Sequence, residues 1–76
     1  MKKKDEELVK WEFVGDDYTV KYWQREDCNY YATVLYETDD DATVIYTSKA
    51  QQDIAKARSL AMEAVRKHEK RVKEEQ

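Results

Sequence analysis

Residues 28–48 read CNYYATVLYETDDDATVIYTS, two runs of strand-forming residues on either side of an acidic segment. Tyr, Val, Ile and Thr dominate both runs, and these side chains suit the half-buried surface of a sheet. Asp39, Asp40 and Asp41 lie between the runs, where Asp favours a turn by hydrogen-bonding its own backbone. Two strands joined by so short a segment form an antiparallel hairpin. The stretch therefore predicts strands over residues 30–37 and 42–47.

The preceding residues repeat this pattern. Runs rich in Val, Trp, Tyr and Phe cover residues 8–14 and 18–24, and they are bounded by GDD at 15–17 and REDCN at 25–29. They predict two further strands. Because short connections join each successive pair, the four strands are expected to form an antiparallel meander.

The apolar spacing changes from two residues to three or four after Ser48, which is typical of an amphipathic helix. Ser48 is a suitable N-cap, and the pattern predicts a helix over residues 49–73. One helix packed on one face of a four-stranded antiparallel sheet gives an α+β fold of order ββββα. The 76 residues are enough for a single domain, 1–76, with one core. The apolar stripe of the helix consists of Ala50, Ile54, Ala57, Ala61, Val65, His68 and Val72.

Alternate side chains of a strand point to opposite faces of the sheet, so each strand sends one set towards the helix. We expect this set to be Val9, Trp11, Phe13, Tyr18, Val20, Tyr22, Ala32, Val34, Val44 and Tyr46. The other face, which the helix leaves open, then carries polar side chains and an exposed apolar cluster of Trp23, Tyr31, Leu35 and Ile45. The polar set there includes Lys10, Glu12 and Thr43. A one-residue bulge near TDDDAT would exchange the faces of Val44 and Ile45.

The net charge of −3 is unevenly distributed. Residues 5–48 carry twelve acidic and three basic side chains, whereas residues 49–76 carry five acidic and eight basic ones, and Lys2 to Lys4 add three more. The turns of a meander alternate between the two ends of the sheet. The acidic turns with Asp16 and Asp17 and with Asp39 to Asp41 are therefore expected at the same end. The run RKHEKRVK, residues 66–73, is the main electropositive segment, and the dipole of a helix favours cations at that end.

No signature of an enzyme, a metal site or a cofactor site is present in the sequence. His68 and Cys28 are the only residues of their types and lie far apart in the chain, whereas a catalytic Cys–His pair requires hydrogen-bond contact. One His and one Cys cannot close a zinc site, and Asp39–Asp41 lacks the Gly and Glu of an EF-hand loop. The acidic strand segment opposes nucleic-acid binding, although tyrosine-rich sheets can stack bases. No apolar run approaches the roughly 20 residues of a membrane span.

These observations predict a non-enzymatic protein-binding module. Its expected contacts are the apolar cluster and the acidic side chains of the turns, Asp16, Asp17, Asp39, Asp40 and Asp41, in the manner of small phage-encoded inhibitors or nucleic-acid mimics. One alternative is a self-associating module whose sheets pack face to face. Another is a de novo designed scaffold without a ligand, favoured by the absence of Pro, a single Gly and a charged fraction of 41%. A cytoplasmic location is expected, because charged residues follow MKKK where a secretory signal would have an apolar run.

Overall fold

The computed structural model describes residues 6–75 and confirms the predicted α+β fold of order ββββα. The four strands form one antiparallel sheet in sequence order, so the meander is confirmed as well. The basic residues Lys2 to Lys4 lie outside the described residues. The strands are β1 (Glu6–Val14), β2 (Tyr18–Arg25), β3 (Tyr30–Glu37) and β4 (Ala42–Thr47), and the helix is α1 (Ile54–Glu75).

The helix begins later than predicted, at Ile54 rather than residue 49. Ser48 is not its N-cap, because the Ser48 hydroxyl accepts a hydrogen bond from the Ala32 amide at 2.9 Å. Gln51 exchanges two backbone hydrogen bonds with Tyr30, both of 2.7 Å, and so extends the sheet by one bridge. The cap is Asp53, whose carboxylate accepts from the amide of Ala55 at 2.9 Å. The backbone groups of Gln51 are therefore hydrogen-bonded to β3, so they do not take part in a first turn of the helix.

The core lies between α1 and the middle of the sheet. The helix runs over β3, with β2 and β4 on either side, and β1 lies outside its footprint. Alanines at the centre of the helical stripe leave room for large side chains opposite. The buried apolar residues are Tyr18, Val20, Tyr22, Ala32, Val34, Ala57, Ala61 and Val65.

The prediction that Trp11 and Phe13 face the helix is wrong. In the observed register Trp11 lies opposite Lys21 and Phe13 lies opposite Thr19, so both point to the open face. A bulge at Val9 interrupts the pairing between Leu8 and Lys10, and Val9 itself is exposed rather than packed under the helix.

The physical reason for this orientation lies in Glu12, which occupies the helix side of β1 opposite Val20. Glu12 accepts hydrogen bonds from the hydroxyl of Tyr22 and, at 3.0 Å, from Nε of Arg58 on α1. The hydrogen bond from Tyr22, followed by the one from Arg58, lowers the pKa of Glu12 despite its partial burial. Burial, with the hydrogen bond to Glu12 as the second cause, raises the pKa of Tyr22.

Lys10 lies on the same side of β1 as Glu12, with its Nζ atom 5.4 Å from the centre of the Tyr22 ring. The predicted placement of Lys10 and Glu12 on the open face is therefore wrong too.

A second bulge reverses the predicted faces of Thr43, Val44 and Ile45, whereas Tyr46 lies on the helix side as predicted. Val34 lies opposite Tyr46 and Leu35 lies opposite Val44, so Ile45 is the extra residue between them. Ile45 packs against the core on the helix side, and Val44 is exposed on the open face. Thr43, opposite Tyr36, also falls on the helix side. The expected positions of Val44, Ile45 and Thr43 are thus wrong, and the exchange of Val44 with Ile45 is the one that a bulge produces.

The close approach of helix and sheet predicts that Ala61→Leu destabilises the protein. Ala61 is fully buried, and forcing extra methylene groups into a packed core costs about 1–3 kcal/mol. Urea denaturation followed by circular dichroism measures this loss. Ala55→Leu on the exposed side of the same helix is the matched control, with an expected change below about 0.5 kcal/mol. Equal effects of the two substitutions would contradict the packing described here.

The lowered pKa of Glu12 predicts a pH-dependent contribution to stability. A carboxyl group with a lowered pKa in the folded state stabilises the protein above its unfolded pKa, and this stabilisation is lost as the pH falls through the folded value. Glu12→Gln should therefore reduce the free energy of unfolding at pH 7 by about 1 kcal/mol, and the deficit should shrink below about pH 4. Glu63→Gln, which removes an exposed carboxylate on the helix, is the control. A deficit of the same size at pH 7 and pH 3 would contradict the prediction.

Candidate functional site

The open face of the sheet, on the side opposite α1, carries seven apolar side chains interspersed with threonines and Lys21. Cross-strand pairing arranges it in three rows. The first row is Leu8, Trp23 and Tyr31; the second is Trp11, Lys21, Thr33 and Thr47; the third is Phe13, Thr19, Leu35 and Val44. We call the seven apolar members the open-face patch: Leu8, Trp11, Phe13, Trp23, Tyr31, Leu35 and Val44.

The first row is held rigidly by aromatic stacking and hydrogen bonds. The rings of Trp23 and Tyr31 are nearly parallel, at 12°, with centroids 6.3 Å apart. Nε1 of Trp23 donates to Thr33 at 3.1 Å, and the Tyr31 hydroxyl donates to Glu6 at 2.8 Å. Burial, together with the hydrogen bond to Glu6, raises the pKa of Tyr31 to about 12. Both side chains are half-buried, so this row forms a pre-organised floor.

The most exposed part of the patch lies on β1 and β4. The exposed fractions are 57% for Trp11, 73% for Phe13 and 55% for Val44. Thr19 lies beneath them, only 5% exposed, and donates a hydrogen bond to Glu37 at 3.0 Å. A shallow concavity of about 320 Å³ opens between the aromatic rings of β1 and the charged groups of Lys21 and Glu37. These exposed rings project from a surface that the helix does not cover.

Acidic turns border one end of the patch. The backbone amide of Glu37 donates to the carbonyl of Asp17 at 2.7 Å, which brings the first and third turns together. The prediction that these turns lie at the same end of the sheet is thus confirmed, and the acidic side chains there are exposed. They are Asp16, Asp17, Glu37, Asp39, Asp40 and Asp41.

Of the site residues predicted from the sequence, Trp23, Tyr31 and Leu35 do lie on the open face, with Trp23 beside Tyr31 and Leu35 two rows away. Ile45 does not, because the bulge in β4 turns it to the helix side. Sequence reasoning missed Leu8, Trp11, Phe13 and Val44, the most exposed members of the patch. The alternation in β1 identifies Trp11 and Phe13 as one set, but only the register with β2 decides which face that set occupies.

The two residues considered for catalysis are far apart in the fold. His68 on α1 is hydrogen-bonded through Nδ1 to the hydroxyl of Tyr18 at 2.8 Å, and its ring lies 4.6 Å from that of Tyr36. Cys28 is an exposed thiol in the turn between β2 and β3, at the other end of the sheet, with a φ of 71°. Their positions assign His68 a packing contact and Cys28 a turn position.

Among residues 6–75, no group of three metal-ligating side chains comes together. The helix that the structure describes is not apolar enough over its length to cross a membrane.

No protein-family model matches the chain, and no curated protein and no solved structure is significantly similar to it. The geometry of the open face is therefore the basis for the functional argument.

The exposure of Trp11 and Phe13 predicts that neither ring stabilises the fold strongly. Trp11→Ser and Phe13→Ser should each change the free energy of unfolding by less than about 1 kcal/mol, since only cross-strand contacts are lost. Val34→Ala in the core is the comparison, with an expected loss of about 2 kcal/mol. Urea denaturation of the three variants measures the difference. If the aromatic substitutions cost as much as Val34→Ala, these rings serve the fold and not a partner.

Proposed function

We propose that the protein is a non-enzymatic binding module whose open-face patch docks on another protein. The observation that carries this proposal is the patch itself, in which large apolar side chains from all four strands share a face that the helix leaves uncovered. The largest apolar patch on a typical monomeric protein measures roughly 300–600 Å², and such patches are often functional. Half-exposed aromatic rings on a rigid floor also match the usual anchors of protein interfaces.

The size of the patch suits the centre of an interface. From their exposed fractions, Leu8, Trp11, Phe13 and Val44 present together about 400 Å² of accessible side chain. A standard interface buries about 800 Å² on each partner, with an apolar centre and a polar rim. The acidic turns and Glu6 supply that rim at the two ends of the sheet.

The charge of the rim indicates the chemistry of the partner. Six carboxylates stand at one end of the patch, in the two adjacent turns and at the end of β3. A partner with an apolar centre and a basic border would complement them, and this attraction would speed association. A nucleic-acid-binding protein carries a basic surface that these carboxylates would attract, so inhibition by mimicry of phosphates stays a prediction. The same carboxylates would repel nucleic acid itself.

A second copy of the chain suits this surface less well. Two sheets packed face to face would bring the acidic end of one copy against either the acidic end of the other or the end bearing Glu6, Arg25, Glu26 and Asp27, where three carboxylates stand beside one cation. Like charges brought together at an interface cost several kcal/mol. We therefore favour a foreign partner over self-association. The cytoplasmic location remains a prediction from the sequence.

Size-exclusion chromatography with light-scattering detection distinguishes a patch that binds a foreign partner from one that mediates self-association. From low micromolar to near-millimolar protein, we expect a monomer of 9.1 kDa at about 0.05 M salt. A dimer under these conditions that Trp11→Ser abolishes would contradict the proposal and assign the patch to self-association. A monomer with a melting temperature above about 90 °C and no partner would favour the designed scaffold.

Cross-linked capture, followed by purification of the captured protein, tests the foreign partner directly. In calorimetry with that protein, the double variant Trp11→Ser/Phe13→Ser should raise Kd by about 30-fold or more, as expected for loss of anchor residues. Asp39→Asn/Asp40→Asn/Asp41→Asn should weaken the salt dependence of binding. Leu60→Ser, which replaces an apolar residue of α1 on the opposite side of the sheet from the patch, is the matched control. If neither salt nor the double variant changed Kd, the proposed function would be overturned.

A further inference from the structure

The opposite side of the molecule contains a second concavity, which lies between α1 and the outer strand β4. It encloses about 330 Å³ and is lined by Ile45, Tyr46, Ala64, Lys67, His68 and Arg71. We call it the helix–β4 groove. It is separated from the open-face patch by the thickness of the sheet.

Two features of the chain build this groove. The bulge in β4 turns the adjacent residues Ile45 and Tyr46 to the same side, where regular alternation would separate them. On the helix, the spacing of Ala64, Lys67 and Arg71 places them on one face, since residues three and four apart are neighbours. The small side chain of Ala64 leaves the space between the strand and the two cations open.

The groove has a positive wall and an apolar floor. Lys67 is paired only loosely, with Nζ 3.7 Å from a carboxylate oxygen of Glu63, and both side chains are largely exposed. Arg71 makes no ion pair with any side chain between residues 6 and 74. His68 is fixed between them by its hydrogen bond to Tyr18 and its contact with the Tyr36 ring. Ile45, Ala64 and the ring of Tyr46 complete the floor.

We infer that the helix–β4 groove binds an acidic peptide segment of another protein. Two carboxylates of the peptide contact Lys67 and Arg71, and an aromatic or aliphatic side chain of the peptide packs on Ile45 and Ala64. Arg suits this task because its planar guanidinium binds a carboxylate with two parallel hydrogen bonds.

A peptide fits this groove better than the other anionic occupants. A nucleic acid carries a continuous row of charges, which would extend past the groove towards the exposed carboxylates of Asp39 to Asp41. A short peptide can instead place two carboxylates on Lys67 and Arg71 and an apolar side chain on the floor. The acidic turn of a second copy, TDDDA over residues 38–42, supplies carboxylates but no large apolar side chain for the floor.

Fluorescence anisotropy with three labelled peptides tests this inference. The probes are Glu-Glu-Phe-Glu-Glu, its Phe→Gly analogue and its Glu→Lys analogue, at about 0.05 M salt. We expect the first peptide to bind, the Gly analogue to bind at least threefold more weakly, and the Lys analogue not to bind. Lys67→Glu/Arg71→Glu should weaken binding of the first peptide at least tenfold.

The control variant Lys56→Glu/Arg66→Glu reverses the same number of charges on exposed positions of α1 outside the groove. It should change the affinity less than threefold, and circular dichroism checks that both variants are folded. Equal losses of affinity in the two variants would mean that net charge alone explains the effect, and would overturn the inference. It would also be overturned if a single-stranded oligonucleotide bound more tightly than the peptide, or if Lys67→Glu/Arg71→Glu abolished a self-association of the protein. Trp11→Ser/Phe13→Ser should leave peptide binding unchanged, so failure of the open-face proposal would not affect this result.

Discussion

The buried hydroxyl of Tyr22 requires a hydrogen-bond acceptor, and the orientation of the first strand after its bulge, residues 10–14, depends on how that requirement is met. Tyr22 is fully buried, and a buried hydroxyl without a partner costs roughly 1–3 kcal/mol. Glu12 supplies the acceptor from the helix side of β1 and is itself held by Arg58. Because Glu12 points towards the helix, its neighbours Trp11 and Phe13 must point away from it. One polar contact at the margin of the core thus accompanies the exposure of two aromatic rings on the other side of the sheet.

The elements of the fold follow from local sequence pattern, whereas the faces do not. Acidic turns and β-branched runs predict all four strands and their order, and the spacing of the alanines predicts the packing side of α1. The start of the helix could not be predicted from Ser48, because its hydroxyl is used by the Ala32 amide of a distant strand. Only the members of the open-face patch on the two central strands could be predicted from the sequence. Trp23, Tyr31 and Leu35 belong to central strands, where burial fixes the inward set, but the outer strands β1 and β4 contain bulges that alternation alone does not reveal.

The two sides of the sheet offer different chemistry. The open-face patch is apolar and bordered by carboxylates, while the helix–β4 groove combines two cations with an apolar floor. A chain of 76 residues with one helix can cover only one face of a four-stranded sheet, so one face is left exposed. The aromatic rings on that face are presented by strands, whose positions are better defined than those of loops, and this pre-organisation would lower the entropic cost of the proposed binding.

The bulges at Val9 and Ile45 also affect how readily the edges of the sheet can pair with another chain. They interrupt β1 and β4, the two strands that bound the sheet and whose outer backbone groups could pair with another chain. A regular, flat outer strand beside exposed aromatic rings is a template for strand addition and fibril growth. An irregular one bends away and breaks the ladder after a few residues. The same two extra residues that set the composition of the open face therefore oppose the addition of further strands at both edges of the sheet.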